Sequence, residues 1–192
     1  MERKPVRLTL AVLVTCMLLA VATPLHAQEG KTFNLYVNAS ANEGLTGLGD
    51  RVKTGYGGSA GFGLVPRPLS SGDIEFILTV AYDYLPTNSE VGHDFTFIRT
   101  GLDFKLRWWQ SKTTTPFFVL GGGVSFVKWS GYDRGDITVP KLDETKPYIA
   151  PGLGLEFDRG KVSPYVELRL VSISGQRFGD YRYARASAGL SF

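Results

Sequence analysis

The stretch Phe117-Phe118-Val119-Leu120-Gly121-Gly122-Gly123-Val124-Ser125-Phe126 contains the pattern that decides the fold. Every second side chain from Phe118 to Phe126 is apolar and mostly large, whereas the residues between them are valine, glycine and serine. Because successive side chains of a β-strand point to opposite faces, this alternation predicts a strand with two unlike neighbours. The large side chains suit an apolar surrounding, and the small ones suit a crowded interior. The stretch therefore predicts one strand of a small transmembrane barrel.

Eight segments of the chain show this period of two. They are residues 32–40, 56–65, 74–84, 96–108, 117–126, 147–157, 163–171 and 183–192. Lengths of about 9 to 13 residues match tilted strands that cross a bilayer. Pro151 lies inside the sixth segment and cannot donate a ladder hydrogen bond, so we expect a bulge or a local defect there.

The connections between these segments alternate in length. The long ones are 41–55, 85–95, 128–146 and 172–182, and the shorter ones are 66–73, 109–116 and 158–162. Long outer loops that alternate with short periplasmic turns are typical of outer-membrane barrels, and an even strand number leaves both termini on the periplasmic side. The predicted fold is therefore all-β, an eight-stranded antiparallel up-and-down transmembrane β-barrel.

The alternation alone does not distinguish this barrel from a soluble, lipocalin-like barrel with its apolar face inside. Volume favours the membrane protein, because eight strands enclose an interior just wide enough to be filled by side chains. Phe, Trp, Tyr and Leu dominate one face of most segments, and Gly, Ser and Ala dominate the other. Aromatic residues near segment ends are candidates for the interfacial girdles. They are Tyr82, Tyr84, Trp108, Trp109, Trp129 and Tyr148.

Charged residues occur on the small face in nearly equal numbers of each sign. The acids are Glu75, Asp83, Asp103, Glu156 and Glu167, and the bases are Arg99, Lys105, Arg107, Arg169 and Arg185. Inside a barrel such charges must be paired and hydrogen-bonded, because an isolated buried charge costs several kcal/mol. We therefore expect a charge network that plugs the lumen, whereas on a soluble barrel the same residues would be a solvated surface.

The first 27 residues read as a cleaved secretory signal peptide. Arg3, Lys4 and Arg7 precede an apolar run of about 15 residues, and Ala27 is the small residue at the expected cut, with a cut after Ala22 as the alternative. The barrel domain is then 28–192. Removing three bases and one acid with the signal leaves 18 Lys and Arg against 17 Asp and Glu, a net charge of +1, so the pI near 9 is no sign of nucleic-acid binding.

Residues with catalytic or ligating potential are sparse. After residue 27 the chain has a single histidine, His93, with Ser89, Glu90 and Asp94 around it in a predicted outer loop. Neighbours in sequence rarely align as a relay, so we predict neither a catalytic triad nor a metal site there. The glycine run 121–123 lacks the Lys-Ser/Thr ending of a phosphate-binding loop. We predict no enzyme activity and no cofactor.

The end of the chain, Ala188-Gly189-Leu190-Ser191-Phe192, has alternating apolar positions and a terminal aromatic residue. It resembles the assembly signal of bacterial outer-membrane barrels, in which the terminal aromatic, here Phe192, is read by the barrel-assembly machinery. With the signal peptide and the glycine-rich strands, the chain resembles the small outer-membrane β-barrel domains, among them the outer-membrane protein A-like barrel and its eight-stranded relatives. This resemblance implies a location in the bacterial outer membrane.

Three functions remain open at this point. We expect first a structural or interaction protein, a monomer whose long outer loops contact ligands, host surfaces or lipopolysaccharide and whose wall contacts outer-membrane lipid. A narrow channel for small solutes is the alternative. A lipid-modifying enzyme is the third, because enzymes of this architecture exist.

Overall fold

The structure is a computed structural model that describes residues 33–45, 48, 52–69, 72–87, 94–108, 113–129, 131–134, 137–139, 141–157, 161–174 and 180–192. The signal peptide predicted at 1–27 and His93 lie outside these ranges, so the expectations about them stay predictions. Within the same ranges, no helix has the length and apolarity that a membrane span requires.

Ten strands account for most of the described chain. They are β1 (Phe33–Gly44), β2 (Gly55–Leu69), β3 (Gly72–Leu85), β4 (Phe95–Trp108), β5 (Thr114–Trp129), β6 (Tyr132–Arg134), β7 (Ile137–Val139), β8 (Leu142–Phe157), β9 (Ser163–Ile173) and β10 (Tyr181–Ser191). Eight of them close into an antiparallel barrel in the order β1-β10-β9-β8-β5-β4-β3-β2. The predicted eight-stranded barrel is thus confirmed, and β6 and β7 form a separate small hairpin in one connection.

The barrel has two unlike ends. β1 begins and β10 ends at one end of the barrel, where β2, β4 and β8 also end and β3, β5 and β9 begin; we call it the turn end. The opposite ends of the same eight strands form the other end, which we call the loop end. The first and last strands close the barrel at the turn end, where the backbones of Leu35 and Phe192 exchange hydrogen bonds of 3.2 and 3.0 Å.

The apolar face of each strand points outward. Leu78, Leu153 and Leu170 are 59%, 63% and 55% exposed, and Leu120 and Phe126 are 40% and 39% exposed. Side chains of alternate residues point into the lumen, where Glu75, Asp83 and Val119 are fully buried. An apolar outer wall around a polar interior is the arrangement that a bilayer requires of a barrel. The orientation argued from side-chain volume is therefore correct.

The ladders are irregular at two places. The pairs of β8 and β9 stop at Ile149 with Ser172 and resume at Gly152 with Arg169, so Pro151 interrupts the ladder without a change of register. The expectation at Pro151 is met as a local defect and not as a bulge, because the missing N–H removes a bond but adds no residue. The register shift lies instead between Leu64 and Arg67 of β2.

Candidate functional site

The structure places all ten charged residues predicted for the lumen inside the barrel. Nine are buried, and Glu156 keeps 12% of its side chain exposed. Together with Asp73, they form three groups along the barrel axis, which we call the loop-end group (Asp83, Arg99, Arg185), the central group (Asp103, Glu167, Arg169) and the turn-end group (Asp73, Glu75, Lys105, Arg107, Glu156). Alternation of side chains along β3, β4, β8, β9 and β10 is what turns each of them inward.

Asp83 is the centre of the loop-end group. Its Oδ2 accepts hydrogen bonds from Nη2 and Nε of Arg99, at 2.7 and 3.0 Å, and from the Tyr183 hydroxyl at 2.8 Å. Its Oδ1 accepts from Nε of Arg185 at 3.2 Å and from Nδ2 of Asn42 at 3.1 Å. One fully buried carboxylate therefore compensates two buried guanidinium groups, which come from strands on different sides of the lumen.

Arg169 holds the central group together. It donates to Glu167 through Nε and Nη2, at 2.5 and 3.0 Å, and to Asp103 through Nη1 at 2.6 Å. Thr79 donates a further bond of 3.2 Å to Asp103. A Cβ atom at Gly121 would collide with Oδ1 of Asp103. The glycine of β5 is thus required because this carboxylate lies directly against its backbone.

Arg107 organises the turn-end group with three carboxylates. Its guanidinium lies 3.0 Å from Asp73, 2.8 Å from Glu75 and 3.0 Å from Glu156. Glu156 also accepts a bond of 2.7 Å from the Lys105 ammonium. Asp73 is a member that the sequence reasoning missed, because the residue was assigned to a turn. Extending the alternation of β3 by one step would have turned it inward with Glu75.

Three aromatic rings lie near the Lys105 ammonium. Its Nζ lies 4.2 Å from the ring centre of Phe117, 4.8 Å from that of Tyr36 and 5.6 Å from that of Tyr165. The negative faces of these rings attract a cation, which adds to the ion pair with Glu156. Charges and rings together leave the turn-end half of the lumen tightly filled.

A layer of apolar and aromatic side chains closes the lumen at the loop end. We call it the aromatic layer, and its members are Leu48, Val52, Leu85, Phe95, Phe97, Val127, Trp129, Tyr148, Ala150, Val171, Ile173, Tyr181 and Tyr183. The Phe97 ring lies 5.5 Å from that of Tyr183 and 5.8 Å from that of Tyr181. Leu48 and Val52 reach it from the connection between β1 and β2. The sequence analysis did not predict this layer.

Polarity is inverted around the aromatic layer. Near the loop end the outward side chains include Glu43, Lys128, Thr145 and Arg182, all of them exposed. Most of the inward ones are apolar, and Glu144 and Lys146 of β8 form an ion pair of 3.4 Å on the same inward face. Toward the turn end the outer wall is apolar and the lumen is charged. Bilayer contact favours an apolar outer wall, and contact with water favours a polar wall around an apolar core. The inversion therefore marks the membrane boundary, and the barrel continues beyond it as a water-exposed collar.

Strand lengths agree with a collar. β5 and β8 have 16 residues each, whereas about 9 to 11 residues suffice for a tilted strand to cross a bilayer. In the collar the two strands pair from Ser125 and Lys146 to Trp129 and Leu142. The β6–β7 hairpin follows, and Gly131 has a φ of 63°, a conformation that favours glycine, where the chain turns into it.

The collar corrects two assignments to the aromatic girdles. Trp129 and Tyr148 are 9% and 6% exposed and belong to the aromatic layer inside the barrel. They point inward because the strands continue beyond the membrane with the same alternation but the opposite polarity. Trp108, at 41% exposure near the turn end, fits a girdle position, and Trp109 lies outside the described residues.

The loop around His93, where we predicted neither a catalytic triad nor a metal site, lies mostly outside the described residues. Of the group around His93, only Asp94 is described, and it accepts hydrogen bonds from the Tyr84 hydroxyl and from the Thr87 amide. Its carboxylate thus fastens the start of β4 to the end of β3. No cluster of three or more potential metal ligands occurs in the part of the chain that the structure describes.

Several solved structures share this architecture. Neisserial surface protein A matches with a TM-score of 0.62 at 16% sequence identity, over 85% of this chain and 98% of that one. The outer membrane enzyme PagL matches with a TM-score of 0.53 at 16% identity, over 82% and 98%. Ail, the attachment invasion locus protein of Yersinia pestis, matches with a TM-score of 0.51 at 13% identity, over 83% and 97%.

No protein-family model matches the sequence, and neither does a curated protein. At identities this low, structural likeness establishes the fold and leaves the activity open. The chain has the fold of the small eight-stranded outer-membrane β-barrels, as the resemblance of its sequence implied. Its apolar outer wall agrees with the outer-membrane location expected from the sequence.

Proposed function

We propose that this protein is a surface-exposed outer-membrane β-barrel that acts through contacts made at its loop end, with a lumen that passes no solutes. The observation that carries the proposal is the filled lumen beneath a projecting collar. Because a filled lumen admits no ligand, the surface of such a barrel that partners outside the cell can reach is its outer end. Neisserial surface protein A and Ail, two proteins of the same fold, are named for the cell surface and for attachment, which is consistent with such a role.

The β5–β8 hairpin is the part of the collar best placed for contacts. Its strands pair with each other up to Trp129 and Leu142, and the β6–β7 hairpin follows in the sequence between them. β9 ends at Ile173, opposite Tyr148, so β8 continues beyond its described neighbour on that side. A paired hairpin presents its side chains in a fixed arrangement, which lowers the entropy cost of binding. We infer that host surfaces or lipopolysaccharide are contacted here.

Shortening this hairpin tests the proposal. Because Trp129 and Leu142 are directly opposite, residues 130–141 can be replaced by a two-residue Asn-Gly turn that fits an antiparallel pair. We expect cells that carry the variant to lose adhesion to epithelial cells, or retention on immobilised lipopolysaccharide, by about tenfold or more, equivalent to about 1.4 kcal/mol or more. The different gel mobility of unheated and boiled protein would show that the barrel still folds.

The control for this experiment is a scrambled sequence at 158–162, a connection at the turn end. It changes the connection between β8 and β9, at the other end of the barrel from the β5–β8 hairpin, and should leave adhesion unaltered. Adhesion and envelope integrity that survive the loss of 130–141 would contradict a contact role for the hairpin.

A narrow channel is the alternative, and the lumen allows a clear prediction. Three charge groups and the aromatic layer lie in series along the axis, so an ion would have to displace buried ion pairs and then cross an apolar barrier. We expect no conductance in planar bilayers at any voltage from protein that is shown to be folded by its gel mobility. Reproducible single-channel currents would contradict this expectation and support the channel function instead.

An enzyme is the second candidate, because PagL, an outer membrane enzyme, shares the fold. The sequence analysis kept lipid modification open as the reaction, and His93, the single histidine after residue 27, is its candidate general base. His93→Ala, compared with wild type by mass spectrometry of lipid A, is the test. An identical lipid A profile with and without the protein, and in the variant, would remove this candidate.

A further inference from the structure

One small internal space lies between the charge groups of the lumen. Among the described residues, no ion pair or charged hydrogen bond joins the loop-end group to the central group, or the central group to the turn-end group. Between them lies a cavity of about 20 Å³. Its wall includes Asp103, Glu167 and Arg169 from the central group and Lys105 from the turn-end group. Asn38 and Ser59, which both accept hydrogen bonds from Arg185, connect the wall to the loop-end group.

The volume of this cavity limits which ligand it can hold. A space of about 10–15 Å³ for the centre of a water-sized probe is enough for one water molecule, so 20 Å³ admits one water but no organic ligand. A metal ion is disfavoured, because the ammonium of Lys105 and the guanidinium of Arg169 form part of the wall.

Polar atoms at the wall can bind such a water. The Tyr165 hydroxyl accepts a bond of 2.9 Å from Asn38, which leaves its own proton available. The Lys105 ammonium has three N–H donors and one carboxylate partner at 2.7 Å, on Glu156. The Thr79 hydroxyl can accept a bond in addition to the one that it donates to Asp103. An internal water requires about two to four polar partners, and the wall supplies them.

We propose that one ordered water molecule occupies this cavity and joins the three charge groups into a single hydrogen-bonded network. The water accepts from the Tyr165 hydroxyl or the Lys105 ammonium and donates to oxygen atoms of the wall. Linked hydrogen bonds strengthen one another in a low-dielectric interior. The charged filling of the lumen then runs without interruption from Asp83 to Asp73.

A high-resolution crystal structure of the folded barrel, with anomalous data, tests this proposal directly. The expected result is one density peak in the cavity, within hydrogen-bond distance of Tyr165 or Lys105 and without an anomalous signal. Ser59→Val replaces a wall hydroxyl by methyl groups that project into the space, and should remove the peak. Ser125→Val changes a buried lumen serine that is not part of this wall, and should retain it.

Three results would overturn the proposal. They are a wild-type cavity without density, a peak with metal–oxygen distances or an anomalous signal, and a peak that persists unchanged in Ser59→Val. The wild-type measurement decides between water, metal and a dry cavity even if neither variant folds. None of these outcomes bears on adhesion through the β5–β8 hairpin.

Discussion

Asp83→Ala is expected to lower the free energy of unfolding by about 3–5 kcal/mol, the usual cost of removing one partner from a buried ion pair. Asp83 is fully buried and accepts bonds from Arg99, Arg185, Tyr183 and Asn42. Without it, two buried guanidinium groups face each other with no counter-charge. Urea titration in lipid vesicles, followed by the gel mobility of the folded form, measures the change.

Two further variants show whether the loss of stability comes from the missing charge of Asp83, from its missing volume, or from the removal of any aspartate. Asp83→Asn keeps the shape and some hydrogen bonds but removes the charge, so a loss close to that of Asp83→Ala would identify charge as the cause. Asp180→Ala removes an aspartate whose ion pair with Arg182, at 3.2 Å, is about half exposed on both sides. An exposed pair contributes at most about 1 kcal/mol. If Asp83→Ala lowers the free energy of unfolding by no more than Asp180→Ala does, the lumen network contributes little to stability.

Leu120→Arg is expected to cost about 2–4 kcal/mol of unfolding free energy, because it places a cation on the wall near the middle of the bilayer. Leu120 is 40% exposed and has Phe104 as its register partner on β4. It lies four outward positions away from Lys128, which belongs to the collar. The measurement is the same urea titration in vesicles.

Thr145→Arg is the matched control for position along the axis. Thr145 also points outward, but it is the register partner of Phe126, at the level where the outer wall changes from apolar to polar. We expect a change of at most about 1 kcal/mol there, because the cost of a cation on the outer wall falls toward the membrane interface. Equal losses for the two variants would place the membrane boundary elsewhere, and a negligible loss for Leu120→Arg would contradict the outward orientation itself.

The pairing partners of the lumen charges could not be predicted from the sequence. Alternation assigns Asp83 and Arg185 to the inward face, but they belong to β3 and β10, which are separated around the barrel by β1 and β2. Their contact depends on the stagger of four strands, since every shift of register moves a side chain along the axis. Arg99, on the adjacent strand β4, is the partner that local pairing makes plausible.

The position of the membrane boundary along the strands could not be predicted from the sequence pattern either. Phe97, Val127 and Trp129 continue the inward alternation of charged or small residues, but they are apolar because the surroundings change from lipid to water. The same change explains why β5 and β8 are longer than their predicted segments. The role of Phe192 as an assembly signal stays a prediction, although its backbone pairs with Leu35.

Strand number, antiparallel order and the direction of each side chain follow from residue order, because a period of two and the volumes on each face are local properties of the chain. Charge partners, the collar and the small cavity between the charge groups follow from barrel closure, because closure brings together residues that are far apart in sequence. The sequence thus predicts the charged side chains of the lumen, with Asp73 as the exception, and the closed barrel decides what each of them contacts there.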